Sequence, residues 1–460
     1  MENLLKKYRY ASDKFTDDEL EVKTLNEYKE FQPTISGPMN IDHPTDLVLR
    51  EARKIAKDIL GPFDPELMLD EVKFGKKSSI GCPLALAYVD HKLTDIRAFT
   101  GSSRCAKWFY DKVLSSDNIL KRIIDRLPCQ GRAGDLAHES LTLINVPKTW
   151  KVLRTITPLT LIGLFYSYGV GSLVTKSLKK VGIDIRRQQQ RHRKWVMKFS
   201  RTRTHVTADL SRASDSITTE LLMRLLPRDW YNAVKICLTD EVEYENSDKT
   251  VDKFKTASVL PMGNGATFPL ETLVFYCIIK AIGNLAKVDG RDKIFSVYGD
   301  DLIYPRSIHK YVCHVFPRLH FTLNMDKTFS ESHFRESCGA DYYHGSDVRP
   351  FFFRGESCML TRTKYLALLY KTFNGIIRRW GDLAPRRTLY FLCVEMASCS
   401  LPIFRIPPGY PDTAGIKVDE PGLIPLDLHM LNWKPIKIDF HCGSRRFQFT
   451  YLAERSRDRF

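Results

Sequence analysis

The chain has 460 residues, 43% hydrophobic and 27% charged, a balance that excludes a wholly disordered polymer and allows one large domain or two to three smaller ones. Lys and Arg outnumber Asp and Glu by 70 to 54, and the resulting +16 favours a polyanionic partner, nucleic acid before an anionic membrane. Its 11 cysteines are scattered, with no CxxC pair and no Cys/His cluster at zinc spacing, which reads as reduced thiols in a cytosolic setting.

The N-terminus, MENLLKKYRYASDKFTDDELE, is charged throughout and lacks the apolar core of a signal peptide. Residues 1 to about 145 are charge-rich, with a helical pattern over Pro44–Leu60. The most apolar long stretch, Leu159–Val170, is too short to cross a bilayer, so no membrane is expected. HVTADL (His205–Leu210) reads as a strand with Val206 and Ala208 on one face and Thr207 and Asp209 on the other. SDSITTELLMRLLP follows as a helix whose apolar face is Ile217, Leu221, Leu222 and Leu225, ending before Pro227. EVEYENSDKTVDKF predicts a hairpin with a polar tip. The loop PMGNGAT leads into an apolar helix, with Pro269 suited to its first turn. KIFSVYGDDLIYP then reads strand, tight turn, strand, and the succession predicts an α+β fold: an antiparallel sheet backed by helices. A further helical stretch, TKYLALLYKTFNGIIRRW, precedes a Pro/Gly-punctuated tail.

Gly299 lets the chain turn sharply and project Asp300 and Asp301 from the hairpin tip. Adjacent like charges are costly unless cations neutralise them, although an acidic turn needs no further reason. A third carboxylate, Asp209, ends another strand that could pair beside this hairpin. Three carboxylates from adjacent strands suit two Mg²⁺ ions about 3.5–4 Å apart, the geometry of two-metal phosphoryl transfer, with Mn²⁺ able to substitute.

TADLSRASDSIT (Thr207–Thr218), MGNGATFPLETLVF (Met262–Phe275), VYGDDLI (Val297–Ile303) and NMDKTFSESHFRESCGADYYHGSDVRPFF (Asn324–Phe352) resemble, in order, motifs of RNA-dependent RNA polymerases. The closest resemblance is to the replicase subunits of single-stranded RNA bacteriophages, the leviviruses of the Q-beta type. VPKTWKVLRTITP and KKVGIDI resemble the same family's approach to the active site. The resemblance covers about 145 to 355. It implies a right-handed polymerase: N-terminal region and fingers over 1–204, palm over 205–353 with a finger insertion near 240–262, thumb and C-terminal region over 354–460. It also implies RNA-directed RNA synthesis from NTPs onto a 3′-OH with pyrophosphate release. Asp209 and Asp300 would be the principal metal ligands, with Asp301 adjacent. Asp215 would accept a hydrogen bond from the nucleotide 2′-OH, or serve as helix-capping charge. Gly263 and Gly265 would allow a flexible backbone near template and nucleotide, with Asn264 and Thr267 offering hydrogen bonds. Where many positive-strand polymerases have Asn, this chain has Glu271, as the bacteriophage replicases do.

PKTWKVLR supplies Lys148, Lys151 and Arg154, which the resemblance places over the triphosphate; Thr157 stands where those replicases carry an acid before the proline. Arg186–Arg203 holds eight Lys/Arg and no acid, which suggests contact with template phosphates, or a solvated face. Trp195 and Phe199 there could stack bases or pack into the core. Lys327 occupies the position of a lysine that protonates leaving pyrophosphate, and Arg335 in FRESCG that of a phosphate contact beside the growing RNA end; Cys338 reads as buried. A reverse transcriptase and a catalytically inactive basic RNA-binding protein are the alternatives. The resemblance further implies RNA template and product, host elongation factors Tu and Ts with a ribosomal protein as partners, and the cytoplasm of a bacterial host as location. The chain is also shorter than typical phage replicases, mainly after the palm.

Overall fold

The computed structural model describes residues 17–75, 79, 87–88, 102–115, 121–122, 141–149, 152–238, 240–246, 249–288, 293–352, 361–417, 433–442 and 445–454. The chain divides into two compact units, one of residues 17–146 and 153–349, the other of 1–16, 147–152 and 350–460. One division of the chain falls between 349 and 350, and residues 204 and 205 lie together in the first unit.

The first unit opens with α1 (Asp17–Ser36), α2 (His43–Leu60) and α3 (Pro65–Glu71). Asp42 starts α2 by accepting from the Thr45 N–H at 3.0 Å, and Gly61, at φ 64°, ends it. Val48, Ala52, Ala56 and Ile59, spaced at three and four residues, form its buried face. Strand β1 (Leu141–Thr142) is followed by β2 (Ile144–Thr149) and β3 (Val152–Ile156), whose residues 147–152 are assigned to the other unit. The apolar stretch from Leu159 becomes α4 (Leu161–Lys180), capped by Thr160 and buried nearly all round. Next, α5 (Ile185–Thr202) buries Gln188, His192, Val196, Phe199 and Ser200 along one face and leaves its cations on the other.

The sheet that carries Asp301 is β4 (His205–Ala208), β9 (Asp301–Pro305) and β8 (Ser296–Tyr298), in the order β4-β9-β8 and antiparallel throughout. It is backed by α8 (Thr267–Leu285), whose Leu270, Val274, Phe275 and Ile278 are fully buried. This helix is long and apolar enough to cross a bilayer, but most of it lies inside the fold as a core element. The α+β arrangement of an antiparallel sheet backed by helices is therefore present. All four β4 residues are buried, so the strand is covered on both faces instead of alternating.

After β5 (Leu210–Ser211) the expected helix is split. A single 3₁₀ turn, Ser214–Ser216, carries Asp215, and α6 (Thr219–Leu225) begins only at the Thr218 cap. Ile217 still reaches the core with Leu221, Leu222 and Leu225. Helix α7 (Arg228–Lys235) leads to the predicted hairpin, β6 (Glu241–Glu245) with β7 (Val251–Lys255), and β1 joins β6 in parallel. After β9, α9 (His309–Arg318) is followed by β10 (Thr322–Leu323), which pairs with β5. The unit closes with the antiparallel sheet β11 (Phe334–Ser337), β12 (Ala340–Tyr343) and β13 (Ser346–Asp347).

In the second unit, α10 (Arg362–Trp380) and α11 (Arg386–Ser398) pack through Leu369, Phe373, Leu389 and Met396. Its sheet has the order β15-β14-β17-β16, from β14 (Ile403–Ile406), β15 (Ile416–Lys417), β16 (Trp433–Cys442) and β17 (Arg445–Glu454). The seven cysteines whose side chains are described in the two units are free thiols.

Candidate active site

Strand register brings the aspartates together. Ala208 pairs with Leu302, and Tyr298 with Asp301, so Asp209, at the end of β4, lies abreast of Asp301 and beside the turn that carries Asp300. That turn requires Gly299: its φ is +61°, and a Cβ there would meet the Phe268 ring at 2.5 Å. The Thr272 hydroxyl accepts from the Gly299 N–H at 3.0 Å and ties the turn to α8.

Asp209 is 9% exposed. Its Oδ2 accepts from Lys327 Nζ at 2.6 Å and from Asn324 Nδ2 at 3.4 Å, while its carbonyl accepts from the Asn324 N–H at 2.9 Å. Asp301 is held from the other side, by the Ser337 hydroxyl on Oδ1 and the Cys338 N–H on Oδ2, both at 3.2 Å. Cys338 is buried, as its sequence context suggested.

Electrostatics sets these carboxyls apart. Burial, then the charges of Asp209 and Asp301, push Asp300 up to about 6. Burial also raises Asp301, although the Cys338 N–H opposes it. Two acids that sequence reading did not place in the site join them. Glu271, 6% exposed on α8, is pushed well up by burial and by Asp300 and Asp215. Glu336 on β11 rises to about 7 through burial, Asp301 and Asp341. Glu271 was visible as a departure from other polymerases and Glu336 stood inside FRESCG; what identifies them is tertiary proximity. Four acids resisting ionisation around Asp209 and one lysine make a site that gains from added positive charge. All its donors are hard oxygens, which suits Mg²⁺ or Mn²⁺ and disfavours thiophilic metals. Among the described residues no three carboxylates converge on one point as a preformed cage.

Asp215 is half-buried, and burial raises it to about 6 against the pull of Arg212 and Arg154. Arg154, exposed on β3, also draws down Glu271, so its charge is felt in the acidic cluster. Lys148 is exposed and belongs to the other unit; Lys151 lies outside the described residues.

Four substrate assignments are corrected. Asn264 is 7% exposed; its amide donates to the Cys237 carbonyl at 3.0 Å and its Oδ1 accepts from the Ala266 N–H at 2.9 Å. The buried Thr267 hydroxyl donates to the Leu260 and Pro261 carbonyls at 3.3 and 2.9 Å. Gly263, at φ +124°, is pressed so close to the Thr157 carbonyl that a Cβ would lie 2.2 Å from its oxygen, which makes the loop tightly packed and not flexible. Arg335 is 0% exposed, and its guanidinium donates to the carbonyls of His205, Ser330, Ser332 and Phe334. Desolvation of a charge is repaid only by such full bonding, so Arg335 is an internal brace and not a phosphate contact.

Beside the sheet, the cationic face of α5 borders a groove of about 460 Å³ whose lining includes Arg191, Lys194, Trp195, Lys198 and Phe295. Phe199 is core, stacked on His205 at 3.9 Å. Trp195 stacks on Phe199 at 5.6 Å and stands half-buried in the groove wall, with Lys198 Nζ 5.4 Å from its ring.

A family model described as RNA replicase, beta-chain, matches residues 3–394. The chain is 32% identical over 326 residues to the RNA-directed RNA polymerase subunit beta of Enterobacteria phage SP, covering 69% of this chain and 54% of that protein. To the RNA-directed RNA polymerase subunit beta of Escherichia virus Qbeta it is 36% identical over 277 residues, covering 59% and 44%. It thus spans about half the length of the curated relatives it matches. Among solved structures it is similar to the RNA-dependent RNA polymerase of a human picorbirnavirus, with a TM-score of 0.47 at 12% identity over 81% of this chain and 75% of that one. On the family match, which takes in the sheet, its aspartates and the lysine beside them, the chain belongs to the RNA replicase beta-chain family.

Proposed function

We propose that the chain is an RNA-directed RNA polymerase that copies a single-stranded RNA phage genome, joining nucleoside monophosphates from NTPs to an RNA 3′-OH and releasing pyrophosphate. The observation that carries this reading is the placement of Asp209, Asp300 and Asp301 at the same end of adjacent antiparallel strands, with the Asp300 and Asp301 carboxyls pushed up. Family membership supports it. Two divalent cations, held by Asp209 and Asp300 with Asp301 alongside, would supply activation of the 3′-OH and charge stabilisation of the leaving pyrophosphate.

The chain's own residues do the rest. Lys327 holds a proton at Nζ beside Asp209 and would pass it to a leaving phosphate oxygen. Arg154, whose charge is felt in the acidic cluster, would screen the triphosphate. Asp215, with Arg212 and Arg154 acting on it, would accept the nucleotide 2′-OH and so select ribonucleotides. The α5 groove would hold template phosphates on Arg191, Lys194 and Lys198. Both compared relatives are named as subunits, which supports a replicase assembled with further proteins; translation factors of a bacterial host are the partners proposed.

Incorporation of labelled ribonucleotides on single-stranded RNA with Mg²⁺, with and without bacterial extract, tests the reading. Ribonucleotide-dependent synthesis is expected, with extract dependence marking host subunits. Equal use of deoxyribonucleotides would favour reverse transcription, and RNA binding without synthesis in any arm would overturn the proposal.

A further inference from the structure

Behind Asp301 runs a buried polar chain, and an ionised Asp301 that accepts from Ser337 sets its direction. Ser337 Oγ donates to Asp301 Oδ1 at 3.2 Å. A hydroxyl that has given its proton to a carboxylate offers a lone pair elsewhere, and His192 Nδ1 lies 2.8 Å from it. The ring proton therefore sits on Nδ1. Nε2 is left as an acceptor, and Ser296 Oγ, 2.9 Å away, donates to it. Ser296 in turn accepts from Gln188 Nε2 at 2.6 Å. Gln188 and His192 lie four residues apart on the buried face of α5, Ser296 opens β8, Ser337 ends β11 and Asp301 opens β9.

The four relay residues are 2%, 0%, 4% and 1% exposed, in the order Gln188, His192, Ser296, Ser337, so water does not compete for these bonds. Burial holds the imidazole down to about 3, so the ring stays neutral and keeps one donor and one acceptor. A polar chain this deep costs more than an apolar packing of the same shape unless it specifies something. What it specifies is the direction of the Ser337 proton: with His192 Nδ1–H against its lone pair, that hydroxyl turns to the Asp301 carboxylate at 3.2 Å, a stronger acceptor than the Cys338 sulfur at 3.8 Å.

We infer that His192 is a positioning residue, which through Ser337 fixes the orientation of the Asp301 carboxylate at the cation-binding end of the sheet. This rests on the polymerase reading for its purpose. Its geometry stands independently. Ser337 and the Cys338 N–H each occupy one Asp301 oxygen, which leaves the remaining lone pairs directed by the relay instead of by free rotation about the side chain.

The test uses the full chain and Mn²⁺ as the probe ion, with affinity read by electron paramagnetic resonance of the free ion. Ser337→Ala is expected to weaken Mn²⁺ binding about 10-fold, and His192→Phe to weaken it equally. The double variant should be no weaker than either single one, because both remove the same bond. His192→Asn, which keeps an amide donor near the Nδ1 position, should recover most of the loss. Imidazole ¹⁵N spectra of the wild type, assigned against His192→Asn, should show Nδ1 protonated and Nε2 bare at neutral pH.

Unchanged Mn²⁺ affinity in Ser337→Ala, additive losses in the double variant, or an Nε2-protonated ring would each overturn the relay. The Ser337→Ala and wild-type arms keep the test decisive if His192→Phe fails to fold. A wild type that binds Mn²⁺ and makes no RNA would sink the polymerase reading, while the affinities and the tautomer still decide the relay.

Discussion

Lys327 Nζ lies 2.6 Å from Asp209 Oδ2, joining the 3₁₀ turn after β10 to the end of β4. Partial burial lowers the ammonium's pKa, but the Asp209 bond and charge, with Glu336 and Asp300 behind, outweigh it and hold the group above the ordinary lysine range. Lys327 is therefore protonated throughout the neutral range. Lys327→Ala should lower the rate of single-nucleotide incorporation about 100-fold with little change in KM for the nucleotide. An unaltered single-turnover rate would remove Lys327 from proton transfer.

The raised carboxyls make the acidic end of the sheet a source of instability that depends on pH. Asp300 moves from 3.8 to about 6 on folding, so the folded state binds more protons than the unfolded one between those values. Its contribution to stability is thus lost as pH rises through that window. In chelator-treated protein, Asp300→Asn should raise stability by on the order of 1–3 kcal/mol at pH 7.5 and leave it unchanged at pH 3.5. Urea denaturation at the two pH values measures both. Destabilisation at pH 7.5 would contradict the electrostatic account.

Arg335 gives the opposite behaviour, since it stabilises the fold from inside. Arg335→Met strands four backbone carbonyls that now accept from the guanidinium. A loss of roughly 2–4 kcal/mol in urea denaturation is expected, with RNA affinity of the folded protein unchanged. A fall in RNA affinity without loss of stability would restore the phosphate-contact assignment.

The parts of this site that were legible in sequence share one property: they are local. The β8–β9 turn was readable because Gly299, Asp300 and Asp301 are consecutive, and α8 because its apolar run is continuous. Pairing of β4 beside that turn was anticipated from two acidic strand ends. What sequence could not show is set by distant partners. Nothing near Arg335 says that it will point inward at His205 and not outward at RNA, and Asn264 and Thr267 looked available because Cys237, Leu260 and Pro261 were not yet seen around them. His192 sat unnoticed in a basic helix, since its neighbours Ser296 and Ser337 are more than a hundred residues away in the chain. The parallel β1–β6 pairing escaped for the same reason: a two-residue strand carries no periodicity.

Two kinds of contact in the α5 groove separate in a salt titration. Replacing Lys194 and Lys198 by Gln should lower the slope of log Kd for a single-stranded RNA against log salt by ~0.7 for each lost phosphate contact. Trp195→Ala should weaken binding by roughly 1–3 kcal/mol with the slope unchanged, as expected of a lost stacking surface. If neither variant alters RNA affinity, the groove is not part of the template path.

The most direct measurement compares the wild type with Asp300→Asn for RNA binding and ribonucleotide incorporation on the same single-stranded template, with bacterial extract added to both. The account predicts equal RNA affinity and incorporation reduced by at least about 1,000-fold, since the variant keeps the fold and loses a principal cation ligand. Incorporation at the wild-type rate would show that the paired aspartates do not carry the chemistry.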